Sequence, residues 1–330
     1  MLSQVTHPTI LIITESMELH RTTGNWRLGL GLSLITVVLW GLVPVALEIV
    51  LNKLDPYTIN WFRFATAFIL LGCYLAKQGN LPKLAQLRTV PIYLFTIAIL
   101  GLTGNYIFFV MGLKATSPSH AEVLIQLAGV FLSLGGLLIF KERYTRYQWM
   151  GVGVLVTGFM GFFYEQLKVL TSDSVGGASP LENRYISGSI MLIVAGISWA
   201  IYALIQKQLL TKLDSTHIMW VIYGACGLLF QTMAKPQTLL QLNSIEWIAL
   251  IFCGLNTVIA YGAFAESLQH LEASRVSAIL ALAPIFTIVS MSLIAWLAPG
   301  LVTPEHITSL GLLGAILVVT GSMSISLGKS

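Results

Sequence analysis

Apolar positions in this chain neither alternate with polar ones nor form a stripe along otherwise polar helices. They fill long blocks separated by short polar, Gly- or Pro-bearing interruptions. A helix rising about 1.5 Å per residue needs roughly 20 apolar residues to cross a hydrocarbon core about 30 Å thick. Ten blocks of that kind are predicted, at 28–50, 56–76, 91–112, 118–140, 147–165, 187–206, 216–234, 246–266, 276–297 and 306–327. Membrane-crossing strands would be about ten residues long and alternate in polarity. Helices, which close their backbone hydrogen bonds internally, are therefore expected throughout, and the expected fold is an all-α integral membrane protein with ten transmembrane helices.

Composition adds an exclusion. The chain is 56% hydrophobic and 10% charged, against about 25% charged residues in soluble domains, so a soluble protein is ruled out. The short patch ILIIT near the start lacks the cleavage site of a signal peptide. Residues 1–27 are read as a cytoplasmic tail. Cys73, Cys226 and Cys253 all fall inside predicted spans, as small packing residues and not as a disulfide framework.

Charge sets the expected orientation. Twelve of the 18 Lys and Arg residues fall on the amino-terminal side of the spans, among them Arg21, Lys77, Arg143, Lys207 and Arg275. Lys53, Lys114, Lys168, Arg184 and Lys235 fall on the other side, and Arg63 lies within a span. Because Lys and Arg in short loops stay on the cytoplasmic side, both termini are expected there, in a cell (inner or plasma) membrane. The net charge of +4 is thus a topology signal. No basic stripe with interleaved aromatics points to nucleic acid.

The blocks repeat. At a shift of 155, Tyr106 faces Tyr261, Phe109 faces Phe264, Ser119 faces Ser274, Leu127 faces Leu282 and Phe131 faces Phe286. At 159, LWG from Leu39 faces SWA from Ser198, and Trp61 faces Trp220; GVGVLVTG from Gly151 faces GAILVVTG from Gly314. The order is kept and the shift drifts as loop insertions would make it, so spans one to five and six to ten are two copies. Five is odd, so the second copy enters the membrane inverted. The units are 28–165 and 187–327, joined by an extracytoplasmic linker at 166–186 that contains TSDSVGGASPLENR.

Five-plus-five helices with LWG in the first, WFRF in the second, GLKATS leading into the fourth and FKERYTRYQWMGVGVLVTG joining fourth to fifth resemble the EamA-type branch of the drug/metabolite transporter superfamily. The resemblance covers about residues 30–327. It implies a secondary transporter for small metabolites, amino acids or related solutes, with export the expected direction. Two departures stand out. Gly129 occupies the place of Pro284, and APGLVTPEH replaces the glutamate-bearing turn of the first copy at Lys141 to Arg143.

Charges inside a membrane cost about 2.5–3.5 kcal/mol on insertion scales, so each needs a partner, a wet cavity or the interface. Arg63 is the clearest case. Its counterpart in the second half is Ile222, and its candidate roles are an ion pair with Glu48 or Glu122, or contact with a substrate carboxylate. Trp40, Gln126, Trp199, Tyr202 and Asn256 lie nearer the midplane on helices of both halves and, with Arg63, are the candidate substrate-binding residues. Glu48, Glu122 and Glu266 are the candidates for gating or proton coupling. His120 is expected at the interface, at a helix start. Bends are expected at Pro44 and Pro284, with looser backbone at Gly101 and Gly104.

No phosphate-loop motif is present, so no nucleotide cofactor, or any other, is expected. Exchange of phosphorylated solutes such as nucleotide sugars is the alternative transport reading, and a lone arginine is thin provision for it. A membrane-embedded enzyme is disfavoured: there is no His pair at helical spacing, and Asp55, Asp173 and Asp214 are the only aspartates. The implied partners are a small-molecule substrate and the lipid bilayer.

Overall fold

The computed structural model describes residues 23–139, 145–171, 180–305 and 307–327, which are helical with no strand among them. The first half comprises α1 (Trp26–Leu51), α2 (Pro56–Lys77), a single turn α3 (Leu84–Leu87), α4 (Ile92–Ala115), α5 (Pro118–Ile125), α6 (Leu127–Ile139) and α7 (Arg146–Thr171). The second comprises α8 (Pro180–Leu209), α9 (Ser215–Gln231), a 3-10 turn at Pro236–Gln241, α10 (Ser244–His270), α11 (Ala273–Leu280), α12 (Ala283–Leu297) and α13 (Ser309–Leu327). Among the described residues five helices, Trp26–Leu51, Pro56–Lys77, Ile92–Ala115, Asn183–Leu209 and Ser244–His270, are long and apolar enough to span a membrane alone. The turn from Lys141 to Arg143 and residues 172–179 of the linker lie outside the described residues.

Local chemistry starts the helices where loops end. Asp55 accepts the N–H groups of Tyr57 at 2.9 Å and Thr58 at 3.1 Å, with Pro56 in the first helical position; both features suit a helix start, where the first N–H groups lack partners. Asn243 and Glu246 form a reciprocal capping box at α10.

The spans predicted at 118–140 and 276–297 are each broken in two. Pro284 has no N–H to give, and α11 ends at Leu280 before α12 starts at Ala283. In the first half Gln126 interrupts the equivalent span without a proline, the Gly129 N–H reaching back to the Gln126 carbonyl at 3.1 Å. The expected bend at Pro44 leaves α1 continuous. Instead, two α1 carbonyls near it take side-chain donors from the second half: Leu39 O from Asn256 at 2.6 Å and Gly41 O from Thr287 at 2.6 Å.

The packing pairs obey a twofold exchange of halves. α4 lies against α8 as α10 lies against α1, and α6 against α8 as α12 against α1, while α2 pairs with α9 and α7 with α13. Large apolar side chains on the outer surface, such as Ile92, Met160 and Trp296, are exposed, the surface a bilayer covers.

Asn60, on α2, is fully buried, and among the described residues neither its Oδ1 nor its Nδ2 has a hydrogen-bond partner. Leaving a buried polar group unpaired costs about 1–3 kcal/mol. Asn60→Leu, similar in volume and apolar, is therefore expected to raise the melting temperature of the purified protein. A lower melting temperature would mean that the amide is bonded in the folded state.

Candidate functional site

At the centre of the bundle, between the two halves, lies a cavity of about 90 Å³. Both helix breaks border it: Gln126, Ala128 and Gly129 on one side, Leu280 and Ala283 on the other. Irregular backbone at membrane depth is tolerated where it is buried in protein or lines a cavity, and these breaks do the latter. The volume accommodates several waters. It is below the roughly 300–1,000 Å³ of drug-sized sites.

One wall is aromatic. Trp40 meets Trp199 edge-on with ring centroids 5.8 Å apart and lies 4.9 Å from Tyr261, which is 5.4 Å from Tyr106. The Trp40 Nε1 is buried without a partner among the described residues. Arg63 enters from α2 and is 4% exposed; its guanidinium carbon sits 4.3 Å from the Tyr106 ring centroid, and its Nε donates to Thr257 Oγ1 at 3.1 Å. A cation over a ring face is attracted by the ring quadrupole. The Tyr106 hydroxyl donates to the same Thr257 oxygen at 3.3 Å, and Thr257 donates to the Cys253 carbonyl at 2.9 Å. Among the described residues no carboxylate lies within 4.0 Å of the Arg63 guanidinium.

Both carboxylates named as ion-pair partners are thus otherwise placed. Glu122 is buried in the cavity wall, and its carboxylate makes no hydrogen bond to any described residue. Glu48 lies outside that wall, and its Oε1 accepts the Thr303 N–H at 2.9 Å. A guanidinium and a carboxylate therefore share one small cavity without neutralising each other by contact.

Of the six residues expected to bind substrate, Trp40, Arg63, Gln126 and Trp199 line this cavity. Tyr202 does not: it is fully buried, and its hydroxyl donates to the Met219 sulfur at 3.2 Å. Asn256 is also outside the wall, its Nδ2 donating to the Leu39 carbonyl. Glu266 lies at the opposite end of the bundle, accepting from the Ser215 hydroxyl and, at 3.0 Å, from Gln269. His120, expected at the interface, is packed inside the protein at the start of α5. It is 1% exposed, with Nε2 3.0 Å from Ser189 Oγ and Nδ1 against the Tyr185 hydroxyl.

Asn105, Tyr106, Tyr261 and Ser277 complete the polar lining and were not among the expected site residues. Asn105 binds the Ala195 carbonyl at 3.1 Å and accepts from the Tyr261 hydroxyl at 3.3 Å. The signal for two of them was the repeat itself, since Tyr106 and Tyr261 are matched positions. Glu305 was missed as well. It stands nine residues before Gly314, as Glu142 stands nine before Gly151, so the second copy keeps its glutamate after all. Glu305 accepts the Ser119 N–H at 3.1 Å.

The sequence profile of the EamA-like transporter family matches residues 27–164 and 186–327. The chain is 34% identical to the uncharacterized inner membrane transporter YhbE of Escherichia coli strain K12, over 91% of this chain and 92% of that protein. It is 32% identical to an uncharacterized transporter of Haemophilus influenzae over 91% and 95%. A probable amino-acid metabolite efflux pump of Salmonella typhimurium is 22% identical over 88% and 92%. One crystal structure superposes with a TM-score of 0.63, covering 91% of this chain and 98% of that one at 16% identity, a likeness of fold alone. With both halves matched and two relatives above 30% identity over nine-tenths of its length, this multi-pass membrane protein belongs to the EamA-like transporter family.

Proposed function

We propose that the protein is a secondary transporter that moves small organic metabolites, amino acids or related solutes, outward by alternating access around the central cavity. The observation that carries this reading is the cavity's position. It lies at the interface of two inverted copies, is bordered by two broken helices, and is lined from both halves. Such a site can be exposed to either face when one half rocks against the other, since each half can adopt its partner's shape.

The lining supports the substrate class. Arg63 offers a fork of donors suited to a carboxylate, Glu122 offers an acceptor for an ammonium, and Trp40, Trp199 and Tyr261 offer an apolar face. Arg63 is the single cation among the lining residues, which favours a carboxylate over a phosphate dianion. The relative named a probable amino-acid metabolite efflux pump is in keeping with the class and with export. The excess of Lys and Arg in the loops of one side supports cytoplasmic termini, and with that orientation the end of the bundle bearing the linker is extracytoplasmic.

The test is thermal stability of the purified protein against amino acids, nucleotide sugars, organic phosphates and hydrophobic cations. A ligand present at about 100 times its Kd adds about 2.7 kcal/mol to the folded state. Zwitterionic solutes are expected to raise the melting temperature, and to lose that effect in Arg63→Ala and Gln126→Ala. A shift confined to phosphorylated compounds would replace the metabolite-export reading with exchange of phosphorylated solutes.

A further inference from the structure

At the end of the bundle opposite the linker, a groove of about 410 Å³ runs between the α1–α10 pair and the α2–α9 pair. It shares no described lining residue with the central cavity. Its walls are apolar, with Ile35 from α1, Leu71 from α2, Met219 from α9, and Val258 and Ile259 from α10. Ile35 and Ile259 are 47% and 50% exposed, so the groove opens on the surface that acyl chains cover.

Polarity is graded along its length. Ser215, the first residue of α9, and Glu266, four residues from the end of α10, form the interfacial end. Val258 lies eight residues from Glu266, about 12 Å deeper at about 1.5 Å per residue. A phospholipid lying along the helices has the same profile, polar at the interface and apolar toward the midplane. Water does not fill an apolar space of this kind, and left empty it would strip its walls of dispersion partners. At hydrocarbon depth the filler at hand is an acyl chain.

Gly262 keeps that space open. A Cβ built on it meets nothing within 4 Å, so no close helix approach calls for a glycine there, although glycine inside a helix is destabilising relative to alanine. Its counterpart at the shift of 155 is Ile107, which packs against the core. The second copy therefore has a space where the first has a side chain. The polar end selects the headgroup. Glu266 is the single charged residue among the described lining. Its Oε2 accepts from Ser215 and Gln269, its Oε1 is 3.5 Å from His270 Nε2, and its side chain is still 38% exposed. A carboxylate there attracts a group bearing N–H donors and a positive charge, and it repels an anionic headgroup. We propose that this groove binds one phospholipid with a primary-ammonium headgroup, its chain beside Gly262 and its ammonium on Glu266. The site stands apart from the transport reading and holds whether or not that reading does.

The experiment is native mass spectrometry of the delipidated protein titrated with phosphatidylethanolamine, phosphatidylcholine or phosphatidylglycerol of identical chains. One tightly held phosphatidylethanolamine is expected, preferred over the other two by roughly tenfold, the worth of one charge-assisted hydrogen bond. Glu266→Gln is expected to keep the adduct and lose the preference. Gly262→Phe fills the groove from an unobstructed position and is expected to lose the adduct, with Gly262→Leu weakening it. Gly153→Phe, whose Cβ is equally unobstructed, is expected to retain it. Melting curves without lipid report the folding of each variant, and Gly262→Leu carries the test if Gly262→Phe does not fold. Equal retention of the three lipids by the wild type would overturn the proposal, as would an adduct undiminished in the folded Gly262 variants. A protein dimer that the Gly262 variants dissociate, in place of a lipid adduct, would overturn it by assigning the groove to a second copy of the chain.

Discussion

Arg63→Met is expected to abolish ligand-induced stabilisation and transport while leaving the protein at least as stable as the wild type. Hydrogen bonds to charged groups are worth about 1.5–3 kcal/mol, so losing the guanidinium weakens binding of a carboxylate solute by roughly 10- to 100-fold, at about 1.4 kcal/mol per tenfold. The stability half of the expectation follows from what surrounds the group. A buried ion pair broken on one side destabilises strongly, because an uncompensated charge is left behind. Arg63 has no carboxylate within 4.0 Å among the described residues. Its removal takes away a cation–π contact with Tyr106 and one hydrogen bond to Thr257, and also the cost of keeping a charge in a span. Arg63→Lys keeps the charge without the planar fork and is expected to fall between the two. A fixed structural role would show as a lower melting temperature and weaker binding together, and denaturation measured with and without ligand separates the two cases.

The fold was legible because its signals are cumulative. Ten apolar blocks, an odd number per copy and matched words such as LWG against SWA each restrict the architecture, and no single residue has to be right. The site was legible only in part. Arg63, Trp40, Trp199 and Gln126 were readable as polar or amphipathic groups near the midplane, and they do line the cavity. Tyr202 and Asn256 carry the same sequence signal, yet Tyr202 turns its hydroxyl and Asn256 its Nδ2 to neighbours outside the cavity wall, because which way a helix faces is decided by its packing partners and not by its own composition. The break at Gln126 left no proline to read. Glu305 was hidden for a different reason: its loop shares only one residue with the first copy's turn, and the match emerges from counting back from Gly314. Pairing of the Arg63 charge was equally beyond sequence, since Glu48 and Glu122 are both near enough along the spans, and only the backbone N–H of Thr303 shows what Glu48 prefers.

Gly321→Leu is expected to lower stability strongly, and its symmetry mate Gly158→Leu to do the same in the first half. Both follow from the α7–α13 seam, where GVGVLVTG meets GAILVVTG. A Cβ built on Gly321 would lie 2.5 Å from Leu155 N and 2.7 Å from Leu155 Cα; one on Gly158 would lie 2.7 Å from Val318 N and 2.8 Å from Gly314 O. These neighbours are backbone atoms, which cannot rotate out of the way. Between lipid-facing helices there is little hydrophobic gain to drive association, so close backbone approach at small residues carries the contact. Overpacking a well-packed core costs about 1–3 kcal/mol, occasionally more, and a leucine forced between two backbones belongs at the upper end. Gly153 supplies the control on the same helix. A Cβ there meets nothing within 4 Å, so Gly153→Ala is expected to be neutral or to gain the 0.5–1 kcal/mol by which alanine exceeds glycine in a helix, in round terms. Melting curves of the three variants in one detergent decide the matter: losses at Gly158 and Gly321 with none at Gly153 place the cost in the seam, whereas equal losses at all three would assign it to helix propensity and general disruption.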